Sequence, residues 1–256
     1  MLLAIDVGNT NIVLGVYSDE KLLFTMRIAS DKNRTSDELA VSIKSVLAFH
    51  NVDVSKIDDS IISSVVPEIT NTLKTSIAAI IGKEPMIVGP GLKTGINIVI
   101  DNPAQLGSDM LVDCVAVSVQ YPLPAIIIDM GTATTFSALT KDLKMVGGAI
   151  VPGVKTSLNA LSGKAAQLPF ISIQDPGKAI GKNTIDSMQS GIVYGNAAMI
   201  DGMVERFEEE LGEKCTIVAT GGLSEEISKH TKRKVIYNGN LLIEGLIEIY
   251  KKNKNR

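Results

Sequence analysis

A chain of 256 residues, 45% apolar and 21% charged, can bury one large core or two modest ones and has the composition of an ordinary soluble globular protein. Its net charge of -3 argues against gripping nucleic acid through bulk positive charge. No apolar run approaches the roughly 18 residues of a membrane span, and Met1-Leu2-Leu3-Ala4-Ile5 lacks the basic stretch and cleavage site of a signal peptide, so a cytoplasmic location is expected.

In chain order, Leu2 to Asp6 reads as a strand and Gly8-Asn9-Thr10 as a turn. Asn11 to Tyr17 and Leu22 to Ala29 flank the polar Ser18-Asp19-Glu20-Lys21, a hairpin signal. Thr35 and Glu38 have the spacing of a capping box, with Leu39, Ile43, Val46 and Leu47 as the helical stripe behind it. Ile61 to Val66 reads as a buried strand. Pro67 then starts a helix that Gly82 ends, with Ile69, Leu73, Ile77 and Ile81 on one face. A helix follows from about Ser108 to Gln120.

The second half repeats this plan. Ala125 to Asp129 is a strand, followed by Gly131-Thr132 and a hairpin through Thr134 to Leu139 and Leu143 to Ile150. Helices follow Pro152 and run from Thr184 toward Leu211. Thr216 to Ala219 is a further buried strand, ending at Thr220-Gly221-Gly222. Gly191 and Gly195 are expected to let the long helix pack closely on a neighbour, within the chain or across a dimer interface, and the tail from Lys251 to Arg256 reads as a solvated end. Cys114 and Cys215, with no CxxC spacing, read as small reduced core thiols; His50 and His230 read as surface histidines near helix ends rather than zinc ligands.

The strongest organisational signal is an internal echo. Leu3-Ala4-Ile5-Asp6-Val7-Gly8-Asn9-Thr10 has the pattern of Ile127-Ile128-Asp129-Met130-Gly131-Thr132: an apolar strand ending in Asp-x-Gly-polar and continuing into a second strand. The echo predicts a duplicated α/β domain, residues 1–118 and 119–256, with a nucleotide cleft between the copies.

The chemistry of such a turn suits phosphate. Glycine lets the backbone approach closely, exposed N–H groups with the side chains of Asn9, Thr10 and Asn11 can cradle phosphate oxygens, and the carboxylate can hold a hydrated Mg²⁺. Phosphoryl transfer needs little beyond such positioning and charge neutralisation. One Asp-x-Gly turn is weak, because ordinary hairpins contain it; two copies are far more specific. Thr220-Gly221-Gly222 is a third glycine turn where a nucleotide could rest, or simply a tight strand-to-helix turn. Neither a Walker A loop nor a GxGxxG fingerprint is present. Asp109 begins an apolar helix behind Gly107-Ser108, where the helix N-terminus favours an ionised carboxylate suited to a general base. It could equally complete the helix cap, and Asp113, one turn later on the same face, is a second candidate.

These stretches resemble the superfamily of actin, hexokinase, acetate kinase and the heat-shock ATPase chaperones, which share two ribonuclease-H-like domains around ATP. More closely, the whole chain resembles the type III pantothenate kinases. The resemblance runs in order through Asp6 to Asn11, Ile62-Ser63-Ser64-Val65-Val66-Pro67, Asn102-Pro103 with Gly107-Ser108-Asp109, Asp129 to Thr135, Gly147 to Gly153, Gly181-Lys182-Asn183-Thr184 and Thr220-Gly221-Gly222. It implies ATP-dependent phosphorylation of pantothenate to 4'-phosphopantothenate, the first step of coenzyme A biosynthesis. Asp6, Val7, Gly8, Asn9, Thr10, Asn11, Ile12 and Val13 would form the first phosphate hairpin, with Asp6 holding Mg²⁺ through water. Thr132 would contact ATP from the second half, which also takes the adenosine side. Asp109 would be the general base, and Asp129 would help hold a monovalent cation, K⁺ or NH₄⁺. Gly107, Ser108 and Thr184 would border pantothenate, as would the positions of Ile100 and Met110. A homodimer is implied, and neither nucleic acid nor membrane is an expected partner.

Four positions depart from the family pattern. Met110 stands where an arginine commonly contacts pantothenate, Ile100 where a tyrosine lines the pocket, Asp113 where asparagine is usual, and Ser137 where many members carry aspartate. A lost charge-assisted bidentate contact is worth roughly 1.5–3 kcal/mol, about tenfold or more in affinity. Lys155, Lys164 or Arg34 of a partner subunit could compensate. Two alternatives follow: a kinase of the same fold for another small hydroxylated acid, and a nucleotide-binding regulator whose catalysis has decayed.

Overall fold

The computed structural model describes residues 1–254. The chain folds as two compact units. In the first, β1 (Leu2–Val7), β2 (Asn11–Ser18) and β3 (Lys21–Ala29) form an antiparallel meander. Its second turn uses left-handed backbone at Asp19 (φ 50°) and Glu20 (φ 61°), the conformations a two-residue hairpin needs, without a glycine. Helix α1 (Ser36–Phe49) opens on the predicted capping box: the Glu38 N–H donates to Thr35 Oγ1 and the Thr35 N–H to Glu38 Oε2. Strand β4 (Asp59–Ser64) runs parallel to β1. It ends two residues earlier than expected, because Val66 caps α2 (Pro67–Ile81), which stops at Gly82 (φ 77°). With β5 (Met86–Ile87) the sheet order is β3-β2-β1-β4-β5.

Side chains alternate across this sheet. Leu3, Ile5, Val7 and Ile62 face one core with Leu39, Ile43 and Leu47 of α1 and Ile69, Leu73 and Ile77 of α2. Leu2, Ala4 and Ile61 face a second core with Val112 and Val115 of α3 (Ser108–Gln120). The short β6 (Asn97–Ile98), between β5 and α3 in sequence, joins the second unit.

The second unit repeats the topology. Strands β7 (Ala125–Met130), β8 (Ala133–Leu139) and β9 (Lys144–Pro152) form the meander, and α4 (Val154–Lys164) and α5 (Thr184–Leu211) follow. β10 (Thr216–Thr220) pairs parallel to β7, and α6 (Ser224–Ser228) leads to β11 (Ile236–Tyr237). The order β11-β10-β7-β8-β9-β6 is the first sheet's order with one edge strand added. Its core joins Ile126, Ile128 and Phe136 to Val193, Ala197, Ile200 and Val204 of α5. The close packing expected at Gly191 and Gly195 is not found among the described residues: a Cβ at either would meet nothing within 4 Å.

Helix α7 (Leu241–Asn253) belongs to the first unit. Ile243, Leu246, Ile247 and Ile249 complete the core behind Leu2 and Ala4. The approach is close at two glycines: a Cβ at Gly15 would lie 2.4 Å from Ile243, and one at Gly245 2.2 Å from the carbonyl of Val112. Two expectations change accordingly. The contact units are Met1–Ile96 with Ala104–Val119 and the described residues from Asn240, and Asn97–Pro103 with Gln120–Gly239, rather than 1–118 and 119–256. The chain exchanges two segments because β6 pairs with β9 and the apolar stripe of α7 is buried on β1. The tail is solvated at Lys251, Lys252 and Lys254 as expected, but Asn253 is buried and accepts from the Lys93 N–H and donates to the Lys93 carbonyl. Asn255 and Arg256 lie outside the described residues. Among those described, no helix is long and apolar enough to cross a membrane.

Candidate active site

In the first unit, β1 delivers Asp6 to the sheet's C-terminal edge, where the chain reverses through Gly8-Asn9-Thr10. The Gly8 N–H donates to the Asn11 carbonyl (3.0 Å), and Asn9, Thr10 and Asn11 are exposed. Ser30, just beyond β3, braces the loop, its hydroxyl donating to the Gly8 carbonyl (2.6 Å) and its N–H to the Thr10 carbonyl (3.0 Å). Asp6 is in register with Ser63 on β4, on the sheet face shared with Ala4, Ile61 and α3. At that face the Ser63 and Ser108 hydroxyls are 3.0 Å apart, and the Ser108 hydroxyl donates to the Ser64 carbonyl (3.0 Å). The first turn of α3 is thereby held at the strand end that carries Asp6.

Asp109 lies in that first turn. Burial raises its carboxyl above the usual aspartate range, and the Met110 N–H, donating to Asp109 Oδ1 at 2.8 Å, pulls it part of the way back. A Cβ at residue 107 would sit 2.3 Å from Asp109 Oδ1, so glycine there leaves the carboxylate its place. Asp113, one turn on, is buried at 2% exposure.

In the second unit, Asp129 ends β7 and the chain reverses through Gly131-Thr132. The Gly131 N–H donates to the Ala133 carbonyl (3.0 Å), one residue sooner than in the first hairpin, so Asp129 pairs with Thr135 where Asp6 pairs with Val13. The brace recurs just beyond the third strand of the meander: the Gly153 N–H (3.1 Å) and the Thr156 hydroxyl (2.8 Å) both donate to the Thr132 carbonyl. A Cβ at Gly153 would lie 2.3 Å from the Gly131 carbonyl, so the α4 N-terminus is pressed against the turn. Gly221 (φ 95°) adopts backbone that side chains resist, and a Cβ there would lie 2.8 Å from Asp129 Oδ1. Thus the third glycine turn adjoins the second aspartate. Each unit therefore carries a strand-end aspartate beside an open backbone turn with a brace from the segment after its meander.

Residues 2–206 match the sequence profile of the type III pantothenate kinase family. A type III pantothenate kinase from Exiguobacterium sibiricum is 44% identical over 254 residues, covering 99% of this chain and 100% of its own. The chain belongs to the type III pantothenate kinase family. Among solved structures it is similar to a protein of Campylobacter jejuni assigned to the Baf family of transcriptional activators, with TM-score 0.64, 19% identity and coverage of 99% and 100%. It is also similar to the activator of 2-hydroxyisocaproyl-CoA dehydratase from Clostridium difficile with bound ADPNP, with TM-score 0.59, 12% identity and coverage of 99% and 96%. These likenesses show the fold alone, a duplicated α/β architecture of the actin- and hexokinase-like kind.

For a pantothenate kinase of this family, the structure sorts the predicted residues by unit. Asp6 to Val13, Gly107, Ser108, Asp109 and Met110 lie in the first; Ile100, Asp129, Thr132 and Thr184 lie in the second. The side chains of Val7 and Ile12 are fully buried in the core, which leaves only their main chain to meet a nucleotide. Thr184, exposed at the start of α5, lines an open groove of about 580 Å³ with Asn183, Ile185 and the stretch from Ala166 to Pro169. Sequence reasoning did not single out Ser30, Ser63, Gly153 or Thr156 as site residues. Ser63, Gly153 and the segment before Thr156 sit in or beside quoted motifs, but only register and hydrogen bonding reveal what they hold.

Proposed function

We propose that this pantothenate kinase family member transfers the γ-phosphoryl group of ATP to the hydroxyl of pantothenate, with Asp109 as general base. Phosphorylation of pantothenate by ATP, opening coenzyme A biosynthesis, is the activity of the family to which the chain belongs. Asp109 takes the hydroxyl proton, the oxygen attacks the γ-phosphorus, and the bond to the β,γ-bridging oxygen breaks to release ADP. Asn9, Thr10 and Asn11 would offer backbone amides and polar side chains to phosphate oxygens, and Thr132 would be a further ATP contact. The observation that carries this reading is the joining of Asp6 and its open turn to the Asp109-bearing helix at one sheet edge and one sheet face.

The donor set fits cations that arrive with the nucleotide. Among the described residues no group of three or more His, Cys, Asp or Glu side chains could hold a metal ion. Asp6 would hold a hydrated Mg²⁺ bound to phosphates, and Asp129 a monovalent cation; these supply neutralisation of phosphate charge. Gly107, Ser108 and Thr184 would border pantothenate, with Met110 and Ile100 in place of the usual arginine and tyrosine. A cytoplasmic homodimer is proposed on the same family grounds. Met110 also supports a second reading, a different hydroxylated acid as acceptor, which a clear preference for another acid in a substrate panel would establish.

The test is Asp109→Asn. ATP binding should change less than about twofold while turnover with pantothenate falls roughly a hundredfold to ten-thousandfold, the range of a general base. Undiminished turnover in a coupled ADP-release assay would remove Asp109 from that role.

A further inference from the structure

We infer that Ser63 is a positioning residue for the catalytic base, acting through the hydroxyl of Ser108; this deepens the proposed role of Asp109 and rests on it. Ser63 and Ser64 are consecutive at the end of β4 and their side chains point to opposite faces. Ser64 serves α2: its hydroxyl accepts from the Val66 N–H (3.1 Å) and the Thr70 hydroxyl (2.7 Å) at a helix start with no side-chain cap of its own. Ser63, fully buried, turns to the other face, toward α3.

Proton counting gives the direction of its bond. A serine hydroxyl has one hydrogen, and that of Ser108 is donated to the Ser64 carbonyl. Both 3.0 Å contacts of Ser108 are made together when the Ser63 hydroxyl donates to Ser108 Oγ. Ser108 is thus held from two sides by one strand, and its rotamer is fixed rather than free to turn. Asp109 is the next residue, and its carboxylate orientation depends on the backbone of that turn, through the bond from the Met110 N–H. Ser63 is also the register partner of Asp6. One buried hydroxyl therefore links the strand pair carrying the phosphate turn to the helix turn carrying the base. Placing a base within a few tenths of an ångström is what such support supplies, and small displacements are costly in rate.

The experiment is a mutant cycle on the full-length protein, with kcat and KM measured for ATP and pantothenate and single-turnover rates measured where turnover is slow. Ser63→Ala should lower kcat about three- to tenfold, the worth of one net hydrogen bond, with KM for ATP within about twofold. Ser63→Thr, which keeps the hydroxyl, should recover most of the loss. In an Asp109→Asn background Ser63→Ala should have almost no further effect, because the group it positions is gone. A wild-type kcat in Ser63→Ala, or the same fractional loss with and without Asp109, overturns the inference. Should Ser63→Ala fail to fold, Ser63→Cys, nearly isosteric but a weak donor, takes its place with the same expectation. Wild-type turnover in Asp109→Asn alone would instead refute the base assignment, a result read independently of residue 63.

Discussion

Asp109 sits where burial disfavours its charged form, while the Met110 N–H only partly offsets that cost. A base must be ionised to act, so the acid limb of kcat/KM should titrate above the ordinary aspartate value of about 3.9. Measuring kcat/KM from about pH 4 to pH 8 checks this; a limb at or below the ordinary value would contradict it. The linkage has the opposite sign for stability. A folded-state pKa above the unfolded one favours folding at low pH and costs stability as pH rises through it, so Asp109→Asn should unfold no more readily than wild type at neutral pH. The sequence exposed Asp109 through its place behind Gly107-Ser108. It could not expose the desolvation, which depends on strands and helices remote in sequence, or the role of Ser63, whose signal is a strand register.

Among the elements, helices and the two meanders were legible because their signals are local: the Thr35–Glu38 box, Pro67 and Gly82, and the run from Thr184 to Leu211. Glycine was not legible in the same way. A Cβ at Gly191 or Gly195 would meet nothing within the chain, while Gly15 and Gly245 are among the glycines whose neighbours leave no room for one. This difference predicts opposite effects of one substitution. Gly245→Ala gains about 1 kcal/mol of helix propensity, but its Cβ would lie 2.2 Å from the Val112 carbonyl, and displacing backbone costs about 1–3 kcal/mol. Its melting temperature should fall. Gly191→Ala meets nothing and should raise the melting temperature by the propensity gain, unless a second subunit covers the helix, in which case weakened association would reveal it. Equal shifts in the two variants would contradict the packing.

Across the whole molecule, the Asp-x-Gly echo announced a duplication that the strand orders bear out, while the braces at Ser30 and at Gly153 and Thr156 share a topological position but no residue pattern. Acid tolerance should rest in part on the second unit. Burial opposes the charge of Glu208, but Arg233 (2.5 Å), Lys214 (2.7 Å) and the Cys215 N–H (3.0 Å) outweigh it and draw its pKa from 4.5 down to about 2. A depressed carboxyl stabilises the fold above its unfolded pKa, and this contribution drains away as pH falls from about 4.5 toward 2. Glu208→Gln should therefore cost about 2–3 kcal/mol at neutral pH, discounted because both cations reach water, and little near pH 2. Denaturant unfolding at several pH values measures it; a cost independent of pH would refute the assignment.

The return of α7 to the first sheet has a consequence for biosynthesis. A nascent chain that has emerged through residue 119 has every strand of its first sheet but, of the two helices packed with Leu2, Ala4 and Ile61, has α3 and lacks α7. The half translated first is thus finished last. Until residues 241–253 leave the ribosome, that apolar face has only α3 over it, and truncation near the C-terminus would strike the opposite end of the sequence.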